Sequence, residues 1–129
     1  MKLETEGKGK LGNPPWDVVE EALRELDQGL GNSYAILSIA HSNYVQALRG
    51  LNGYHLEWRI TGDDLDKYIH YRAANRSGSS TRKFLVKCDV VNDGQQRDLL
   101  SLDSVIEAFR AFFDRKAPPA SLLWRVLDL

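Results

Sequence analysis

The side chains of this sequence best suited to chemistry are His55, Glu57, Arg59, His70 and Arg72. In Tyr54-His55-Leu56-Glu57-Trp58-Arg59-Ile60, apolar and polar residues alternate without a break. Successive side chains of a strand point to opposite faces. Tyr54, Leu56, Trp58 and Ile60 therefore share one side, and His55, Glu57 and Arg59 the other. An imidazole, an acid and a base stand in a row on the open face of a half-buried strand. A carboxylate beside an imidazole is the raw material of general acid/base catalysis, here Glu57 with His55 or with His70 from another strand. The same residues also suit a plain sheet surface, where cross-strand pairs of Glu57 with Arg49 or Arg72 would contribute about 0.2–1 kcal/mol each. Structural or partner-contact roles fit them better than catalysis does.

Other chemistries find less support. His41, His55 and His70 are the only imidazoles, on separate segments without the paired spacing of a metal site. No metal or cofactor is expected. Cys88 alternates with Phe84, Val86 and Val90, so it reads as a small core residue, not a reactive thiol. The serines lack the glycine context of a nucleophile elbow. Asp63, Asp64 and Asp66 lack the glycine and closing glutamate of a calcium loop and read as a solvated turn. Tyr44, Tyr54, Tyr68 and Tyr71 fall on predicted strands, as in a base-stacking platform. Tyr54, however, shares a face with Leu56 and Trp58, and no RNA-recognition motif is present.

The elements that position these residues are those of one domain. A chain of 129 residues can bury a real core without metal or disulfide staples. With 43% hydrophobic and 27% charged residues it has an ordinary globular composition, and a net charge of −1 gives no long-range attraction to nucleic acid or anionic membrane. A single cysteine fits a reducing compartment. No apolar run approaches the roughly 20 residues of a membrane helix, and Met1-Lys2-Leu3-Glu4-Thr5-Glu6 is too polar for a secretion signal. The expectation is a cytoplasmic domain with neither membrane nor nucleic acid as a direct partner.

Residues 1–12, glycine-rich and without periodicity, are expected as a mobile tail, and 13–129 as a single α+β domain. Asn13-Pro14-Pro15 starts a helix over about 15–28, with Trp16, Val19, Leu23 and Leu26 inward and acidic residues outward. Strands are predicted at 34–40, 43–49, 54–60, 67–73 and 82–91. Gly50-Leu51-Asn52-Gly53 forms a hairpin loop whose Asn-Gly accepts positive φ. Ser101 caps a second helix, with Ser104 and Glu107 as a capping-box pair, an apolar stripe from Leu102 to Phe113, and an end near Arg115. Leu122 to Leu127 closes the sheet or packs as an extended tail. The fold class is α+β: an antiparallel meander of five to six strands with N- and C-terminal helices on one face.

The order of these segments resembles the Imm1-type immunity proteins of bacterial polymorphic toxin systems. Asn43-Tyr44-Val45-Gln46-Ala47 is similar to that family's aromatic-x-Gln strand, and Gly53-Tyr54-His55-Leu56-Glu57-Trp58-Arg59 to its next strand with an embedded glutamate. His70-Tyr71-Arg72-Ala73 resembles the strand after it. Leu102 to Phe109 with Phe112 resembles the C-terminal helix, and Leu123-Trp124-Arg125 the closing aromatic segment. The likeness spans about residues 32–127 and implies a non-enzymatic inhibitor. Its partner would be a cognate secreted toxin encoded nearby, often a deaminase or nuclease. Partner contacts are expected first at His55, Glu57, Arg59, His70 and Arg72, and second at Asp63, Asp64 and Asp66. The acidic side of the first helix and the Asp63 loop would complement a toxin made basic by its grip on nucleic acid. Trp58, Phe109, Phe112 and Trp124 are assigned to the core, although Trp124 could equally be an exposed anchor. The alternative is a small enzyme or nucleic-acid-binding module using the His55, Glu57 and His70 face.

Overall fold

The computed structural model describes residues 1–26, 32–40, 43–61, 68–76 and 99–127. Along the chain run β1 (Lys2–Thr5), β2 (Gly9–Gly12), α1 (Trp16–Glu25), β3 (Tyr34–Ile39), β4 (Asn43–Arg49), β5 (Tyr54–Thr61), β6 (Tyr68–Asn75), α2 (Leu102–Phe113) and β7 (Leu122–Val126). The strands form one open antiparallel sheet in the order β2-β1-β3-β4-β5-β6-β7. The fold is α+β, with seven strands among the described residues where five to six were expected. The predicted strand at 82–91, with Cys88, lies outside the described residues, as do His41 and the predicted turn at Asp63, Asp64 and Asp66.

Pairing registers decide which side chains share a face. Leu3 pairs with Leu37, Leu37 with Val45, Val45 with Trp58 and Trp58 with Tyr71. One residue along, Glu4 pairs with Ile36, Ile36 with Gln46, Gln46 with Glu57, Glu57 with Arg72 and Arg72 with Arg125. The first row belongs to the core, and the second lines the opposite, outer face. Val19, Ala22, Leu23 and Leu26 of the α1 segment and Val105, Ala108, Phe109 and Phe112 of α2 join the first row in a single apolar cluster. Both helices therefore lie on the same side of the sheet. Trp58 is buried against Phe112 and Trp124, ring centroids 5.4 and 5.5 Å away in edge-on geometry that suits the aromatic quadrupoles. Trp124 is half-buried, and its indole N–H donates to the Pro119 carbonyl at 2.8 Å. It is a core-side residue, not an exposed anchor.

Residues 1–12 are not a tail. They form a hairpin whose first strand pairs with β3 and sends Leu3 and Thr5 inward. Gly9, at φ +69°, takes the left-handed position that closes its short loop. In the hairpin between β4 and β5, neither Asn52 nor Gly53 has positive φ. Glycine suits position 53 for space, because a Cβ there would sit 3.1 Å from both the Leu100 carbonyl oxygen and the Leu99 Cβ and would press these neighbours aside by a few tenths of an ångström. Ser101 caps α2 as expected, its hydroxyl accepting from the Ser104 N–H at 3.2 Å. Glu107 instead accepts from the Ser121 hydroxyl at 2.9 Å, tying α2 to the segment before β7.

The far end of α2 closes with a Schellman turn. The Arg115 N–H donates to the Phe112 carbonyl at 3.0 Å and the Lys116 N–H to that of Ala111 at 2.8 Å, with Arg115 at φ +61°. A side chain in this conformation meets a steric penalty that glycine avoids. Arg115→Gly should therefore stabilise the protein by about 0.5–1 kcal/mol after the extra unfolded-state freedom of glycine is deducted. A thermal melt should show a rise of roughly 2–5 °C; an unchanged or lower midpoint would contradict the strain argument.

Candidate functional site

The outer face is covered by neither described helix, and its centre is built by three neighbouring strands. β5 supplies Glu57, β4 sets Gln46 directly opposite it, and β6 sets Arg72 opposite on the other side. His70 reaches Glu57 diagonally, since its own partner in register is Arg59. Glu57 Oε1 accepts from His70 Nε2 at 2.9 Å and from Gln46 Nε2 at 3.3 Å, while Oε2 accepts from Arg72 at 2.9 Å. An ionised carboxylate only accepts, so Nε2 is the nitrogen of His70 that carries a proton. The carboxylate is thus held from three sides, with its side chain 12% exposed and that of His70 6%.

Burial pushes the Glu57 carboxyl up. The hydrogen bonds from His70 and Arg72, with the positive charge of Arg72, outweigh it and hold the group below the ordinary glutamate range. A carboxylate so stabilised is a poor base at neutral pH, and its oxygens are already engaged. Glu57 is better described as the internal strut that orients His70 and Arg72. The Tyr44 hydroxyl is pushed the other way: burial raises it above the usual tyrosine value, partly offset by Arg59.

Beside this strut lies Arg59. Its guanidinium carbon sits 3.7 Å from the centre of the Tyr68 ring and 5.7 Å from that of Tyr44. Tyr44 in turn meets the His70 ring edge-on at 6.0 Å. Among the described residues Arg59 faces no carboxylate within ion-pair distance, and its buried Nε has no hydrogen-bond partner. His55 Nδ1, His70 Nδ1 and Arg72 Nε are likewise buried without a partner. Polar atoms left in this state each forfeit about 1–3 kcal/mol of hydrogen bonding.

No protein-family model, curated protein or solved structure matches this chain. The site therefore rests on its own geometry. That geometry brings together four of the five residues expected on the polar sheet face, namely Glu57, Arg59, His70 and Arg72. His55 shares their face, opposite Leu48, but makes no hydrogen bond to Glu57. Asp63, Asp64 and Asp66 lie outside the described residues. Arg49, the other expected partner of Glu57, donates instead to the Leu26 and Asn32 carbonyls at 3.1 and 3.4 Å. Gln46 is the member that sequence reasoning missed. Of the four strand tyrosines, Tyr44 and Tyr68 belong to the outer face, while Tyr54 and Tyr71 pack with the core. Among the described residues no group of three His, Cys, Asp or Glu side chains is placed to hold a metal ion. No described helix is long and apolar enough to cross a membrane.

Proposed function

We propose that this chain is an immunity protein that binds and neutralises a cognate secreted bacterial toxin by direct protein contact, through the outer face of its sheet. The likeness in segment order supplies the family expectation, including a nucleic-acid-targeting toxin such as a deaminase or nuclease. The observation that carries the site is Arg59 held against Tyr68 and Tyr44 on a face neither described helix covers. Arginine and tyrosine dominate the energy of tight interfaces, above all where they are fixed beforehand and little rotamer freedom is lost on docking.

The test is direct. Co-expressed with the toxin domain encoded beside it, the wild-type chain should form a stoichiometric complex and restore growth to cells making that toxin. The pair Arg59→Ala and Tyr68→Ala should weaken the complex by about a hundredfold, the scale of one strong interface anchor. Glu21→Ala, on the exposed side of α1, should leave it unchanged. Loss of neither binding nor protection in the double variant would move the interface elsewhere. A wild-type chain that neither binds nor protects would end the proposal.

One observation favours the alternative of a small acid/base enzyme: the imidazole of His70 lies within hydrogen-bond reach of the Glu57 carboxylate. The occupied oxygens and lowered carboxyl of Glu57 weigh against it. So does Arg59, which already sits on one face of the Tyr68 ring where a nucleobase would stack.

A further inference from the structure

Among the described residues, the centre of the outer face holds more cationic than anionic side chains. Arg59 and Arg72 project there from β5 and β6, and Glu57 is the carboxylate that shares the centre with them. Glu57 takes one nitrogen of Arg72 and none of Arg59. On α1 the balance is reversed: Asp17, Glu20, Glu21 and Glu25 are met by Arg24, which pairs with Glu20 at 2.8 Å, and by Lys8, 3.5 Å from Glu25. Among the described elements, the sheet face is therefore cationic and the face of α1 acidic. Such a distribution turns an approaching acidic surface onto the sheet.

We infer that the partner presents a carboxylate, an Asp or Glu side chain set among apolar atoms, which docks on Arg59 with Arg72 beside it. This rests on reading the outer face as the toxin-binding one, and it reverses the polarity expected from the acidic segments of the sequence. The Arg59 guanidinium is positioned by two tyrosine rings and, among the described residues, meets no carboxylate within ion-pair distance, so its planar fork suits a carboxylate. His70 lies across the strand pair from Arg59, 6% exposed, with Nδ1 unpartnered and Nε2 fixed by Glu57. The same face carries half-buried Ile36 and exposed Leu48, which call for apolar atoms around the charge. A nucleic acid fits less well. Its binding needs a run of phosphates neutralised by many cations, and Glu57 stands in the middle of the few present.

The experiment is a titration of the isotopically labelled full chain, followed by nuclear magnetic resonance. The probes are an acetylated Leu-Asp-Glu-Leu peptide, its Leu-Asn-Gln-Leu counterpart, inorganic phosphate and an oligothymidylate. The acidic peptide should shift the Arg59 and Arg72 side-chain N–H signals and the His70 ring nitrogens in a saturable way. The amide peptide should not, and Arg59→Gln should reduce the acidic peptide's affinity about tenfold, the usual scale for one charge-assisted contact. Arg59→Lys should restore part of it, which a purely structural role for Arg59 would not predict. Equal shifts with both peptides, or none, overturn the inference. So does tighter binding of the oligothymidylate, which would make the face a nucleic-acid surface; saturable binding of phosphate alone overturns it in favour of a simple anion site. The complex with the adjacent toxin domain is measured separately. If that complex forms but is indifferent to Arg59→Gln, the carboxylate assignment falls while the immunity reading stands. If the complex never forms, the immunity reading falls and the peptide titration still decides the chemistry of the face.

Discussion

Glu57→Gln is expected to lower the unfolding free energy at pH 7 by about 2 kcal/mol, although it changes one oxygen to nitrogen on a sheet surface. The wild-type carboxylate accepts from His70, Gln46 and Arg72 and counters the charge of Arg72 inside a cluster largely withdrawn from water. A glutamine keeps the shape but brings an NH₂ group against one of these donors and leaves Arg72 without its counter-charge. The pH dependence has a definite sign. Because the carboxyl is held lower in the folded protein than in the unfolded chain, its stabilisation is complete above the unfolded value of about 4.3. It is lost as pH falls through the folded value. Urea unfolding of wild type and variant should therefore differ at pH 7 and converge in strong acid, with the same denaturant slope throughout. Other carboxylates titrate alike in both proteins, so the difference between the two curves isolates Glu57. Equal stability at pH 7, or a gap that persists unchanged in acid, would show that the three hydrogen bonds do not act as a strut.

Part of this cluster was legible before any coordinates. The unbroken alternation from Tyr54 to Ile60 fixes which side chains face out, and the structure keeps that assignment for Trp58 and Glu57 alike. Gln46 was recoverable by counting. Once the Gly50–Gly53 loop pairs Arg49 with Tyr54, an antiparallel register places Gln46 opposite Glu57. Arg72 and His70 could be named as candidates but not ranked against Arg49, because no short loop sets the register between β5 and β6. The first hairpin was missed for a different reason. Gly9-Lys10-Leu11-Gly12 is exposed at every position, so it carries no apolar alternation, and it is held by pairing with β1, itself laid against β3. Glu107 was misassigned because its partner Ser121 comes from beyond the helix, and a local capping rule does not see distant acceptors or donors. The cationic sheet face was hidden by the near-neutral total. Charge becomes informative there only when the fold sorts α1 acids to one side and strand arginines to the other.

Trp58→Ala is expected to have the largest effect on stability, about 3–5 kcal/mol. Its ring is 4% exposed, meets Phe112 and Trp124 edge-on, and lies in the row that runs from Leu3 through Leu37 and Val45 to Tyr71. Its removal takes away packing from the sheet, from α2 and from the β7 segment at once, and the surrounding backbone is too well paired to collapse into the space. Domains of this size are stable by only about 5–15 kcal/mol, so the variant should unfold at markedly lower urea and accumulate poorly in cells. Trp58→Phe keeps much of the ring contact and should lose only about 1–2 kcal/mol. The comparison separates core from docking surface. Trp58 and Glu57 are adjacent in sequence, yet their side chains leave opposite faces of the sheet. In binding measured on the folded fraction alone, Trp58→Phe should leave affinity for an outer-face partner unchanged, whereas Arg59→Gln should weaken it at nearly wild-type stability. Affinity that instead followed stability through both variants would mean that partner binding engages the helix side, with Trp58 part of the contact and not its support.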